Sequence, residues 1–144
     1  MKKILFTIWS ISLLTLTACH GVKRVSFEIF KSEAQSVVLK APKVVSATYN
    51  GTFGDQRLSF SSKPNGGWSN STEMMLYIEF AFLDSVKAMY TYMNQNTSEF
   101  YTGLGFRVVN NGTTYEYTSK GFLARIKGVA LGKPLNFSIS HKFQ

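Results

Sequence analysis

From Val25 onward the apolar residues of this chain recur at every second position rather than every third or fourth. The longest case runs through Met74, Leu76, Ile78, Phe80 and Phe82, alternating with Glu73, Met75, Tyr77, Glu79 and Ala81. A period of two sends successive side chains to opposite faces of a sheet, so this is a strand signature. Phe100, Leu104, Phe106 and Val108 repeat the pattern, with Thr102 interrupting the apolar set, and Leu135, Phe137, Ile139 and Phe143 repeat it again. Shorter versions stand at Val25-Phe27-Ile29, Val45-Ala47-Tyr49, Leu58-Phe60, Tyr115-Tyr117 and Phe122-Ala124-Ile126. Turn residues separate them at Asn50-Gly51, Asn65-Gly66-Gly67, Asn94-Gln95-Asn96, Asn111-Gly112, Lys120-Gly121 and Gly132-Lys133-Pro134. Asn-Gly is the strongest short hairpin signal, because both residues accept positive φ. In one stretch, Ser32 to Leu39, helix and strand both stay open: Glu33, Ala34 and Gln35 could carry a helical turn that Ala41-Pro42 stops. Roughly six to nine short strands with frequent turns predict an all-β domain, an antiparallel β-sandwich or a small closed or partly open barrel.

The first residues follow a different logic. Lys2 and Lys3 precede an uncharged apolar run from Ile4 to about Leu16, shorter than the ~20 residues a membrane-spanning helix needs. A cationic start, a short apolar run and small residues before a cut site are the parts of a signal peptide. The run closes on Leu16-Thr17-Ala18-Cys19, which resembles the lipobox of bacterial lipoproteins, and Cys19 is the chain's single cysteine. The resemblance implies that the Cys19 thiolate accepts a diacylglycerol, that the chain is cut before it, and that Cys19 becomes the first mature residue. Several acyl chains on one residue make membrane attachment effectively permanent, whereas one chain alone is marginal. In Gram-negative members an Asp after the Cys retains the protein in the inner membrane. His20 stands there instead, so the resemblance implies the periplasmic face of the outer membrane where an outer membrane exists.

These boundaries divide the chain into a leader (1–18), a lipidated cysteine with a short tether (19–24) and a single β domain (25–144). Without the leader 126 of the 144 residues remain, and 14 of the 16 Lys and Arg face 8 acids, an excess of six cations. That length suits one domain with a real core. A basic, aromatic-rich chain would otherwise suggest single-stranded nucleic acid as a ligand, but an export signal argues against it. With Cys19 lipidated no thiol is left for a disulfide, so packing and sheet hydrogen bonds must hold the fold. Residues 20–24 span at most ~17 Å, which keeps the domain close to the bilayer. Lys23 and Arg24 then either meet headgroups, at on the order of 1 kcal/mol each on an anionic leaflet, or simply solvate the tether.

Little in the sequence points to catalysis. The histidines are His20 in the tether and His141 on the apolar side of the last alternating run, where a lone histidine is usually a satisfied core residue. There is no His-x-x-x-His, no cysteine pair, no calcium loop and no Gly-x-Ser-x-Gly, so neither a metal, a cofactor nor an activated serine is expected. Gly128 to Lys133 has one residue too few between its glycines for a phosphate loop, and Pro134 where a hydroxyl should bind magnesium. Glu73 and Glu79, six residues apart on one strand, would lie ~20 Å apart, beyond the reach of glycoside hydrolysis.

Binding has better material. Tyr90 with Tyr92, and Tyr115 with Tyr117, are i, i+2 pairs that would share a sheet face if both stretches are strands, and Trp68 lies in the longest expected loop. Rings with a polar tip suit sugar stacking or a wet protein contact, although tyrosine is also an ordinary strand residue. The final run resembles the last strand of outer-membrane barrels, but Gln144 displaces the terminal aromatic and too few runs reach the ~9–11 residues a spanning strand needs. The expected function is therefore non-enzymatic: an envelope module contacting another envelope protein, including an inhibitor or immunity role, with glycan or peptidoglycan binding through the five aromatics as the alternative. Cys19→Ala should abolish acyl labelling and leave the leader uncut, read by metabolic labelling and gel mobility; unchanged labelling and size would overturn the lipobox assignment.

Overall fold

The computed structural model describes residues 22–61, 76, 83–93 and 97–144. In chain order its elements are β1 (Lys23–Val25), α1 (Phe27–Val38), β2 (Val44–Phe53), β3 (Gln56–Ser61), α2 (Val86–Tyr92), β4 (Ser98–Thr102), β5 (Phe106–Asn110), β6 (Thr113–Tyr117), β7 (Leu123–Ala130) and β8 (Lys133–Phe143). The eight strands form one sheet, ordered β1-β4-β5-β6-β7-β8-β2-β3, and every neighbouring pair is antiparallel. The chain is thus mostly antiparallel sheet, as the alternation predicts, in an open, sandwich-like arrangement that does not close into a barrel. Among the described residues, α1 and α2 lie against one face of the sheet and pack into the core there.

The core is the inner sheet face met by these helices. Tyr49, Phe60, Phe100, Val108, Ile126 and Phe137 point inward from six different strands, and Phe30, Ala34, Val86 and Met89 come down on them from α1 and α2. Phe30, fully buried, sits 4.9 Å from the Phe100 ring and 5.7 Å edge-on from Phe106, which fixes α1 across β4 and β5. Tyr49 stacks on Phe60 at 4.9 Å, and Phe60 meets Phe137 edge-on, closing the other end.

The helix at Phe27–Val38 replaces the strand expected at Val25-Phe27-Ile29 and settles the open stretch after it. Ser26 has extended backbone and its hydroxyl accepts from the Ile29 N–H at 3.3 Å, an N-cap that ends β1 after three residues. Beyond it the apolar set is Phe27, Phe30, Ala34, Val37 and Val38, a helical stripe, while Ile29 is left half exposed. In the Met74 to Phe82 run only Leu76 is among the described residues; it is fully buried, in helical rather than extended backbone. The rest of that run, and the turns expected at residues 65–67 and 94–96, lie outside the described residues.

Other differences are local. The run from Phe100 to Val108 is a hairpin, not a single strand: Gly103-Leu104-Gly105 turns between β4 and β5 and leaves Leu104 80 % exposed at the tip. Asn50-Gly51 is not a turn but lies within β2, and the reversal comes at Gly54, at φ +60°. A Cβ on Gly51 would run into the Asn136 carbonyl oxygen and stand 2.7 Å from the Phe137 Cα, so glycine is needed for strand approach rather than for a bend. Asn111-Gly112 does turn, both at positive φ, and the last hairpin turns at Leu131-Gly132, with Lys133 and Pro134 already in β8. A bulge skips Ala124, so Leu123 and Ile126 face inward, instead of the expected Phe122-Ala124-Ile126 set.

Strand β8 joins the two halves of the sheet. It pairs with β7 on one side and, from Val44↔Phe143 to Phe53↔Leu135, with β2 on the other. Because Phe30 fills the joint between α1 and the sheet, Phe30→Ala should cost about 3–5 kcal/mol, as large aromatic truncations do. Urea unfolding followed by circular dichroism checks this; a loss below about 1 kcal/mol would place α1 elsewhere.

Candidate functional site

Among the described residues two regions concentrate polar chemistry: the segment leading into α2, and the outer face of the sheet. The first begins with Tyr117, inward on β6 and 4 % exposed, whose hydroxyl donates to the Leu83 carbonyl at 2.7 Å. Next to it Asp84 Oδ1 lies 2.9 Å from His141 Nε2 on β8, the imidazole nearly buried in a cluster with the rings of Phe122 and Phe143. The Asp84 carbonyl accepts from the Leu123 N–H at 2.9 Å, and the Val86 N–H donates to Gly121 at 3.0 Å. Ser85 forms a bridge with Phe122 while its side chain caps α2 by accepting from the Ala88 N–H at 3.2 Å. Four consecutive residues are thus fastened to the sheet. His141 has Asp84 as its partner and belongs to this fastening, and the Ser85 hydroxyl accepts the cap bond of α2.

The aromatic residues expected to bind do not come together. Tyr115 and Tyr117 share a face, but it is the inner one, and both are core residues rather than stacking platforms. Burial first, then the charges of Tyr115 and Asp84, pushes the Tyr117 phenol well above its usual value, which keeps it a hydrogen-bond donor. Tyr90 and Tyr92 are on α2, not on a strand, and residues two apart on a helix point to nearly opposite sides. Accordingly Tyr90 packs against the core while Tyr92 is 69 % exposed. The stripe Val86, Met89, Tyr90 and Met93 behind a serine cap was the readable signal for this helix. Trp68 and Cys19 lie outside the described residues. Among those described, no cluster of His, Cys, Asp or Glu could hold a metal, and no helix is long and apolar enough to cross a membrane.

The outer face was not anticipated as a unit. One cross-strand row passes through all eight strands: Arg24, Tyr101, Arg107, Glu116, Arg125, Ser138, Asn50 and Ser59. The row beside it runs from Glu99 through Val109, Thr114, Lys127, Asn136 and Thr52 to Arg57. All four arginines of the chain therefore lie on this face, with Lys127 and Lys142, against Glu99 and Glu116. Both acids are in use. Glu99 is 3.7 Å from Arg24 and accepts from the Tyr101 hydroxyl at 3.0 Å, which is the main reason the Tyr101 phenol is raised. Glu116 is 3.4 Å from Arg107, whose guanidinium also lies over the Tyr101 ring, 5.8 Å from its centre. Arg107, Thr114, Glu116, Arg125 and Lys127 line a shallow depression of about 320 Å³. The sequence signal was available: Arg57, Arg107 and Arg125 each stand at the polar position of an alternating run.

No protein-family model, curated protein or solved structure matches the chain.

Tyr117→Phe leaves the buried Leu83 carbonyl without its donor and should cost about 1–3 kcal/mol. Its pH dependence follows from the raised phenol. Folding favours the neutral form, so the contribution is complete below the unfolded value near pH 10 and declines as the pH rises above it. Denaturant titrations from pH 8 to 11 should show the native chain losing stability above about pH 10 more steeply than Tyr117→Phe; parallel curves would mean the hydroxyl is not buried.

Proposed function

We propose that the protein is a membrane-anchored bacterial lipoprotein whose domain works by binding, contacting another protein of the cell envelope at short range from the bilayer. The observation that carries this reading is Leu16-Thr17-Ala18-Cys19 at the end of a short apolar leader, five residues before Arg24 enters the sheet. The domain that follows spends its one buried histidine and the serine beside its partner on holding α2 to the sheet. Its conspicuous exposed chemistry is cationic and hydrogen-bonding, which suits recognition. Roles compatible with this include an accessory subunit of an envelope complex and an inhibitor or immunity factor. The glycan alternative drew on Tyr90, Tyr92, Tyr115, Tyr117 and Trp68 as a stacking surface; Tyr115 and Tyr117 lie in the core and Tyr90 packs against it, away from the exposed Tyr92, so these four tyrosines do not share one.

The experiment is cross-linking in intact cells followed by recovery of the tagged protein from envelope extract. A discrete protein partner should be recovered, and its recovery should survive an excess of soluble glycans. If instead no protein is retained and the domain pellets with purified cell wall, the binding partner is glycan and the reading fails.

A further inference from the structure

We infer that the outer face of the sheet is a docking surface for an anionic phospholipid membrane, so that the domain lies with its sheet against the bilayer and its helices pointing away. The inference deepens the proposed anchoring and rests on it for proximity. Three observations carry it. The first is charge: among the described residues six cations, including every arginine in the chain, meet two acids on one face. The second is shape. Arg24, Arg107 and Arg125 stand on the first, third and fifth strands of the sheet at one level, about 10 Å apart by strand spacing. Beside Arg125 and Arg57 the neighbouring positions are short polar residues, Ser138, Asn136, Asn50, Thr52 and Ser59, while Arg24 and Arg107 flank Tyr101 and pair with Glu99 and Glu116 at the surface. The guanidinium group is a planar, permanently charged donor matched to phosphate oxygens. The third is position. Arg24 begins this row on edge strand β1, and only His20 to Lys23 separate it from Cys19, so an anchored chain holds this end of the row within ~17–20 Å of the lipid surface.

The chemistry also defines the manner of contact. Val129 at the β7 end and the half-buried Val109 are the main apolar residues among these positions, so nothing there would insert deeply into the acyl region. Attachment through this face is therefore electrostatic, graded with the fraction of anionic lipid and weakened by salt.

The test uses the whole chain on vesicles, in a Cys19→Ser background that makes an introduced thiol unique. One variant carries a fluorophore at Ser138→Cys on the outer face, another at Ser36→Cys on the exposed side of α1. Quenching by a headgroup-labelled lipid is compared on vesicles of neutral phosphatidylcholine and of phosphatidylcholine with 30 % phosphatidylglycerol, about a third of the surface being charged. Anionic vesicles should quench position 138 more than 36, and the ratio should fall to about one in high salt and in R107Q/R125Q/K127Q. Equal quenching at both positions overturns the inference and leaves the face to a soluble acidic partner. So does a ratio that survives both high salt and the triple substitution. The salt arm requires no charge substitution, so it decides the matter even if the triple variant fails to fold. Because Cys19 is absent, the outcome is independent of acylation, and loss of acyl labelling in Cys19→Ala tests the anchor separately.

Discussion

A sheet with one face committed to the core is the constraint on which the other features depend. Each strand divides its residues between a largely apolar side and a largely polar one, from Phe100 on β4 to Phe60 on β3, with the buried Thr102 and Thr113 as exceptions on the inner side. The inner side collects aromatic rings, and Phe30 alone reaches both Phe100 and Phe106. The outer side, freed from packing, is where charge accumulates. The arginine row is thus a by-product of the same alternation that builds the core, concentrated on one side because the inner face cannot accept it.

The strands were legible for this reason, and the errors share a cause. Val25, Phe27 and Ile29 satisfy a period of two by coincidence; the deciding residue is Ser26, whose side chain offers the backbone a cap and changes the period to that of a helix. Tyr90 and Tyr92 mislead in the same way when read without Ser85, Val86 and Met89. Gly51 marks a close approach of β8, and nothing in one sequence distinguishes that from a turn glycine. The bulge opposite Glu116 and Tyr117 is likewise invisible until both strands are paired. Candidate binding residues fared worst because tyrosine suits an exposed contact and a capped core position equally well. Tyr117 is buried because Leu83 offers its hydroxyl an acceptor, and Leu83 is 34 residues away in sequence.

The segment from Leu83 to Val86 shows how a helix is held on a sheet without a disulfide. Tyr117, His141, Leu123 and Gly121 each supply one hydrogen bond to it from three strands or their turns. Polar groups that would be costly inside the core are spent in pairs, donor against acceptor, which fixes α2 in one place where apolar packing alone would tolerate sliding. The His141 and Asp84 pair belongs to this device: a histidine on an apolar strand face finds its partner in the segment that leads into α2.

The pairing of β2 with β8 joins residues as far apart as Val44 and Phe143. Until the last of these strands is available, the β2–β3 hairpin has no neighbour in the meander, and Tyr49 and Phe60 have no Phe137 to close on. Such a contact carries a large loop-closure penalty and comes late in folding. A chain arranged this way stays open while it is being made and completes its core only once its final strand is free. Were the chain exported as proposed, that delay would keep it in a form export machinery can thread.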